Sequence, residues 1–213
     1  FTGKKINTDQ VMGSLKGEID TDVEVTILRN KQKKRIIIRR GEIPMETITT
    51  FCMLDKTTGY IRIDQFSVPT HDEFVIAADG LLNQGMKKMV LDLRGNPGGV
   101  MDAAILIADE FLPSGVNIVS TKGRNVENEV VKAKPGGVLE KIKLAVLIDE
   151  NSASAAEILA GAMQDNDRAL LYGRRTYGKG LVQQDQILKD GSSVRMTISR
   201  YYTPSGRSIQ RPY

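Results

Sequence analysis

Apolar and polar positions alternate with different periods along the chain, and each change of period marks an element. Residues 23–29 (VEVTILR) and 34–40 (KRIIIRR) are β-like runs joined by the polar segment 30–33, which predicts a hairpin. Residues 8–15 before them fit a short helix. Two strands and one short helix bury too little to stand alone, so this segment is expected to be the tail half of a small β-rich domain. The pattern changes near Pro44. Residues 60–66 (YIRIDQF) alternate as a half-buried strand does. Thr70 and Glu73 then form a capping-box pattern that predicts a helix running to about Gln84, with Gly85 as its stop.

Farther on, residues 88–93 (KMVLDL) and 144–148 (LAVLI) are short, largely apolar stretches of the kind found in buried strands. Residues 102–112 and 154–164 fit helices, and residues 169–173 and 193–202 fit strands. Strands that alternate with helices imply parallel βα units in a layered α/β core. No internal repeat or low-complexity tract interrupts this.

Composition narrows the function. The 213 residues are 40% hydrophobic and 26% charged, and no apolar run approaches the roughly 18 residues of a membrane helix. The net charge of +4 is too small to argue for nucleic acid by itself, and without Trp there is little to stack bases on. A single cysteine, Cys52, excludes an internal disulfide framework, and a single histidine, His71, excludes a multi-histidine metal site. His71 follows the predicted cap Thr70 and is expected to be an ordinary exposed residue. The chain opens without a signal peptide or initiator methionine, which reads as a start inside a domain.

Three segments carry residue types suited to chemistry. In residues 91–99 (LDLRGNPGG) a strand runs into a glycine-rich loop before a helix. Glycines there can turn N–H groups outward to meet developing negative charge, although a plain tight turn has the same sequence. In residues 144–158 (LAVLIDENSASAAEI) a serine stands where a strand feeds a helix, which exposes its hydroxyl and aims the next N–H at the same point. The competing reading is that Ser154 only caps the helix, with Glu157 completing a capping box. In residues 173–184 (GRRTYGKGLVQQ) Lys179 lies between two glycines. A lysine serves as a base only when burial strips its proton, and a solvated turn lysine is the plainer alternative.

Residues 173–179 also fit the phosphate-loop spacing G-x-x-x-x-G-K. Gly180 stands where Ser or Thr would hold magnesium, and a β-like run follows where a helix is required, so nucleotide hydrolysis is rejected. The basic run Lys31, Lys33, Lys34, Arg35, Arg39 and Arg40 reads as a charged, protected strand edge, with a polyanion patch as the sharper reading.

Together, GYIRIDQF, LDLRGNPGG, ENSASAAEI, YGKGLVQQ and YYTPSGRSIQ, in this order, resemble the C-terminal processing (tail-specific) serine proteases. The resemblance implies the C-terminal half of a PDZ-like domain over residues 1–43. Over residues 44–213 it implies a protease core of layered, Clp/crotonase-like α/β fold. It also implies a serine endopeptidase with a Ser–Lys dyad: Ser154 as nucleophile, Lys179 as base, Gln183 assisting the lysine, and the N–H groups of Ala155 and Gly99 as oxyanion hole. No cofactor or metal is implied. The expected partners are proteins or peptides with apolar C-terminal tails, with no nucleic acid, no embedded membrane segment and a homo-oligomer left open. The expected compartment is extracytoplasmic, in the periplasm or cell envelope. The rival readings are a crotonase-type acyl-CoA enzyme and a non-catalytic PDZ-containing binding module.

Overall fold

The computed structural model describes residues 7–41 and 46–212. It divides into two compact units, Phe1–Met45 and Glu46–Tyr213. The change of pattern expected at residues 43–44 lies outside the described residues.

The first unit contains helix α1 (Thr8–Leu15) and a hairpin of β1 (Asp22–Arg29) and β2 (Gln32–Arg39). Asn7 caps α1, accepting from the Gln10 N–H at 2.9 Å. The hairpin turn is two residues long, because Arg29 pairs with Gln32. Asn30 and Lys31 both have positive φ, 51° and 62°, as a hairpin turn matched to strand twist requires. Val23, Val25 and Ile27 line up on one face opposite Ile38, Ile36 and Lys34. None of the described residues of this unit is buried, in keeping with two strands and one short helix being too few to enclose a core.

The second unit is built on a five-stranded sheet in the order β3-β4-β5-β8-β9. Its strands are β3 (Thr50–Met53), β4 (Thr58–Arg62), β5 (Lys88–Asp92), β8 (Lys143–Ile148) and β9 (Ala169–Gly173). β4, β5, β8 and β9 are parallel, and β3 is an antiparallel edge. Ile61, Leu91, Val146 and Leu171 stand side by side across the parallel strands. The first three are completely buried; β5 and β8, inside the sheet, read as mostly apolar runs, whereas β4 alternates.

Helices α2 (Thr70–Asn83), α3 (Met101–Phe111) and α4 (Ala155–Asp165) connect the parallel strands. Phe74 of α2 meets Phe111 of α3 with ring centroids 5.8 Å apart. Every residue of α4 from Ala155 to Met163 is buried, because α3, β6 and β9 enclose it. A helix covered on several sides needs small side chains, and five of those nine residues are Ala or Gly. A second, antiparallel sheet has the order β10-β11-β6-β7, from β6 (Asn117–Lys122), β7 (Glu129–Lys132), β10 (Leu181–Ile187) and β11 (Ser193–Tyr202). Among the described residues no helix is long and apolar enough to cross a membrane.

Three local expectations change. The strand expected over 60–66 ends at Arg62; Phe66 then bridges Gly99 in parallel. The capping box expected at Thr70 does not form. Pro69 is the N-cap, and the Glu73 carboxylate turns outward to accept from Thr47 N–H, Thr47 Oγ1 and Ile48 N–H at 2.7–3.2 Å. Strands β3, β6 and β7 were not expected. β3 and β7 are short and mostly exposed, and β6 buries only the adjacent pair Ile118 and Val119, so none of the three shows a clear alternating pattern.

Candidate active site

Parallel neighbours β5 and β8 end on the same side of the sheet, so the loops that leave them lie together. The Leu93 N–H donates to the Leu147 carbonyl at 2.9 Å, continuing the pairing to the point where both chains turn away. The glycine-rich loop and the serine turn therefore meet, although more than fifty residues separate them.

Two buried polar side chains fix this junction. Asn96 donates from Nδ2 to the Ile63 carbonyl at 2.8 Å and accepts the Gly98 N–H on Oδ1 at 2.8 Å. Its own carbonyl accepts the Ala153 N–H at 2.9 Å. Ser152 donates from Oγ to the Leu93 carbonyl at 2.7 Å and accepts the Asp149 N–H at 2.9 Å. Asp149 accepts N–H groups from Gly95, Asn151 and Ser152. Burial pushes its carboxyl up, but these bonds outweigh burial and hold it below the usual range. Below the loop, buried Asp92 receives Arg94 Nη2 at 2.6 Å and the Tyr60 hydroxyl at 2.7 Å. Here too burial acts upward, and the Arg94 and Tyr60 bonds bring the Asp92 carboxyl below its usual range.

Ser154 stands at the N-cap of α4 with φ 54° and ψ −114°. A non-glycine residue in that region is strained and is held there only by its surroundings. Serine and Glu157 face each other in a capping-box arrangement, as the sequence suggests. The bond is well formed in one direction: the Ser154 N–H donates to Glu157 Oε2 at 2.9 Å. The Glu157 N–H donates to the Ser154 carbonyl oxygen at 2.9 Å, so the hydroxyl makes no full cap bond.

Glu157 does more than cap. It is only 5% exposed. Its Oε1 accepts the Gly178 N–H at 2.6 Å, and its Oε2 accepts the Lys179 N–H at 2.8 Å as well as that of Ser154. One carboxylate oxygen thus joins the backbone of the serine to the backbone of the lysine. Gly180 extends the anchorage, donating to Gln210 Oε1 at 3.0 Å and accepting the Tyr201 N–H at 2.8 Å.

The glycine-rich loop closes on the serine through Gly98, whose φ is +93°. A Cβ there would lie 2.6 Å from the Ala153 oxygen, 2.7 Å from Ser154 Cβ and 2.9 Å from the Ala155 nitrogen. Gly99, φ +138°, has its own Cβ position filled by the Phe66 carbonyl. Among the described residues, neither the Gly99 nor the Ala155 N–H has an acceptor. Gly98→Ala combines a clash against backbone with an unfavourable φ. It should cost about 2–4 kcal/mol of stability and about 10²-fold in activity, read by thermal unfolding and peptide turnover.

Residues 57–212 match peptidase family S41. The chain belongs to that family. It is 35% identical over 209 residues to the carboxy-terminal processing protease CtpA of Bacillus subtilis, covering 98% of this chain and 44% of that protein. A probable CtpA-like serine protease of Staphylococcus haemolyticus is also 35% identical, over 202 residues, 94% of this chain and 40% of that one. This S41 chain thus spans less than half the length of the curated relatives it matches. Among solved structures, the photosystem II D1 C-terminal processing protease superposes with a TM-score of 0.72 at 31% identity, over 91% of this chain and 54% of that chain. A putative S41 protease from Bacteroides fragilis shares the fold, with a TM-score of 0.65 at 18% identity. The resemblance read from the five motifs therefore holds at the level of the family, and the mixed α/β fold with it.

Within this S41 fold, the residues singled out from sequence fare differently. Ser154, Ala155 and the backbone of Lys179 are brought together, with Gly99 in the loop that packs on them through Gly98. The Lys179 side chain is exposed, in place of the burial expected of a base. The bonds at Gly178, Lys179 and Gly180 fix its backbone and leave the ammonium outward. Gln183 is exposed on β10, at a bulge between Val182 and Gln183; bulges re-aim side chains. His71 departs from expectation: its side chain is 23% exposed, with Nε2 3.1 Å from Glu110 Oε1 of α3. His71→Ala should lower stability by about 1 kcal/mol and leave turnover within about twofold, which unfolding and activity assays would check. The joining role of Glu157 and the approach of Gly98 escaped sequence reading. The only signal was the Ser-x-x-Glu spacing, which capping explains equally well.

Glu157→Gln tests the joint. Glutamine keeps one acceptor oxygen and turns an NH₂ toward N–H donors. Stability should fall by about 2–4 kcal/mol. The activity of the folded fraction should fall about 10–100-fold, in kcat more than in KM. A variant with unchanged kcat would show that the carboxylate serves the fold alone.

Proposed function

We propose that this chain is the proteolytic part of a serine endopeptidase of the C-terminal processing type. The supporting observation is the strained Ser154 at a strand–turn–helix junction, tied through Glu157 to the lysine loop. Ser154 Oγ attacks the scissile carbonyl while neutral Lys179 takes its proton. The Ala155 and Gly99 N–H groups stabilise the oxyanion, each donor worth roughly 3–4 kcal/mol in comparable enzymes. Lys179 then protonates the leaving amine, and water releases the acyl group. Gln183 would orient the lysine. The peptide itself would cover the exposed Lys179 and supply the desolvation that the free site lacks.

By the same reading, residues 1–43 are half of a PDZ-like domain and residues 44–213 a Clp/crotonase-like core. The substrates are proteins with apolar C-terminal tails, met outside the cytoplasm. The two protease names among the relatives, for CtpA and the D1 processing protease, support this reading. A fluorophosphonate probe followed by peptide mapping tests it. Label should appear on Ser154. Label on Ser152, or none on folded protein, would overturn the assignment.

A further inference from the structure

Asn96 is completely buried, and its polar atoms reach three separate segments of the chain. Nδ2 donates to the Ile63 carbonyl, just past the end of β4, and Oδ1 accepts the Gly98 N–H, each at 2.8 Å. The second bond closes an Asx turn over Pro97, whose ring fixes its own φ. The main-chain carbonyl of Asn96 accepts the Ala153 N–H at 2.9 Å, one residue before Ser154. Its N–H donates to the Leu93 carbonyl at 3.2 Å.

The consequence falls on Gly98 and Gly99. Both have positive φ, 93° and 138°, and a pair of glycines restrains its own backbone poorly. The restraint comes from outside the pair. Asn96 takes the Gly98 N–H, and the Gly98 carbonyl accepts the Phe66 N–H at 2.9 Å. Across a trans peptide, the carbonyl of one residue and the N–H of the next point in opposite directions. With the Gly98 carbonyl turned to Phe66, the Gly99 N–H points away from Phe66. Gly98 is also the residue that packs on Ser154 Cβ and the Ala155 nitrogen. The segment that aims the Gly99 N–H is the one that Asn96 ties down through Ile63.

We propose that Asn96 is a positioning residue for the oxyanion hole. By joining the glycine loop to Ile63 and to Ala153, it sets the Gly99 N–H relative to the Ala155 N–H. The proposal rests on the reading of Ser154 as nucleophile. A packing role alone predicts that loss of Asn96 lowers stability and treats all ligands of the folded protein alike. A positioning role predicts a selective loss of affinity for negative charge developed on the substrate oxygen.

The test uses the whole chain and two peptides of one sequence, one ending in leucinal and the other in leucinol. Ser154 Oγ adds to the aldehyde carbon and its proton passes to Lys179. The C=O π pair moves to the former carbonyl oxygen, which carries the negative charge into the hole. The alcohol forms no such bond and reads ground-state binding alone. Calorimetry should show the aldehyde binding at least about 100-fold more tightly than the alcohol to the unsubstituted protein. In Asn96→Ala, the aldehyde should lose about 100-fold in affinity while the alcohol stays within about threefold, and peptide turnover should fall in kcat with KM little changed. Asn96→Ser can still accept the Gly98 N–H in the turn, so it should keep about tenfold more aldehyde affinity than alanine. It also carries the test if the alanine variant does not fold. Equal losses for aldehyde and alcohol, or an unchanged aldehyde affinity, would overturn the proposal and leave Asn96 to packing alone. An aldehyde that binds the unsubstituted protein no better than the alcohol would overturn the serine nucleophile itself, and the proposal with it.

Discussion

Replacing Ser154 by alanine is expected to abolish peptide cleavage, by about 10⁴-fold or more, while the protein stays folded. Ser152→Ala, two residues away, is expected to do the reverse. Ser152 is completely buried, with its proton given to the Leu93 carbonyl and a lone pair to the Asp149 N–H. Its hydroxyl has no freedom left for chemistry, and its loss leaves two buried groups unpaired, at a cost of about 1–3 kcal/mol. Ser154 makes no comparable bonds, and its backbone is held by groups that alanine leaves in place, so the fold should tolerate the change. Thermal unfolding and turnover of a short peptide, measured on both variants, separate the two roles. Equal loss of turnover from both, with both folded, would mean that the distinction drawn from their hydrogen bonds is wrong.

Lys179→Arg is expected to be nearly as damaging, about 10³-fold in kcat/KM, although it keeps the charge. Guanidinium does not release a proton near neutral pH, so it cannot accept one from serine. The Glu157 bond to residue 179 uses the backbone N–H, so arginine leaves the joint in place. The loss therefore reports the base and not the fold. In the unsubstituted enzyme, kcat/KM should rise with pH as the free enzyme's base loses its proton, and then level off. His71→Ala should leave that ascending limb where it is, because His71 is engaged with Glu110 on α3. An active Lys179→Arg enzyme, or a limb abolished by His71→Ala, would remove lysine from the mechanism.

The main elements of the protein were legible along the chain. The strands at 169–173 and 193–202 have the bounds expected, and helices α3 and α4 differ by one residue at each end. Helices α3 and α4 pack into the core, which imposes its pattern on their residues, whereas β9 and β11 are mostly exposed and were legible from local composition alone. The strands that were missed, β3, β6 and β7, lie in exposed or mixed surroundings that impose no period. At Thr70 the spacing of a capping box was present, but Thr47 and Ile48, far off in sequence, offered Glu73 better donors.

The site divides in the same way. Residue types and local spacing identified a serine at a strand-to-helix turn, a glycine loop and a glycine-flanked lysine, because each depends on near neighbours alone. Sequence could not choose between Ser152 and Ser154 on physical grounds. That choice depends on whether the Leu93 carbonyl lies against residue 152, fifty-nine positions away. It could not show that Glu157 serves two segments at once, nor that Gly98 is the glycine pressed on the serine. Nor could it show that Lys179 stands in solvent while its backbone is held. Parallel strands deliver distant loops to one end of the sheet, and which groups then meet is fixed by three-dimensional packing, about which local spacing carries no information.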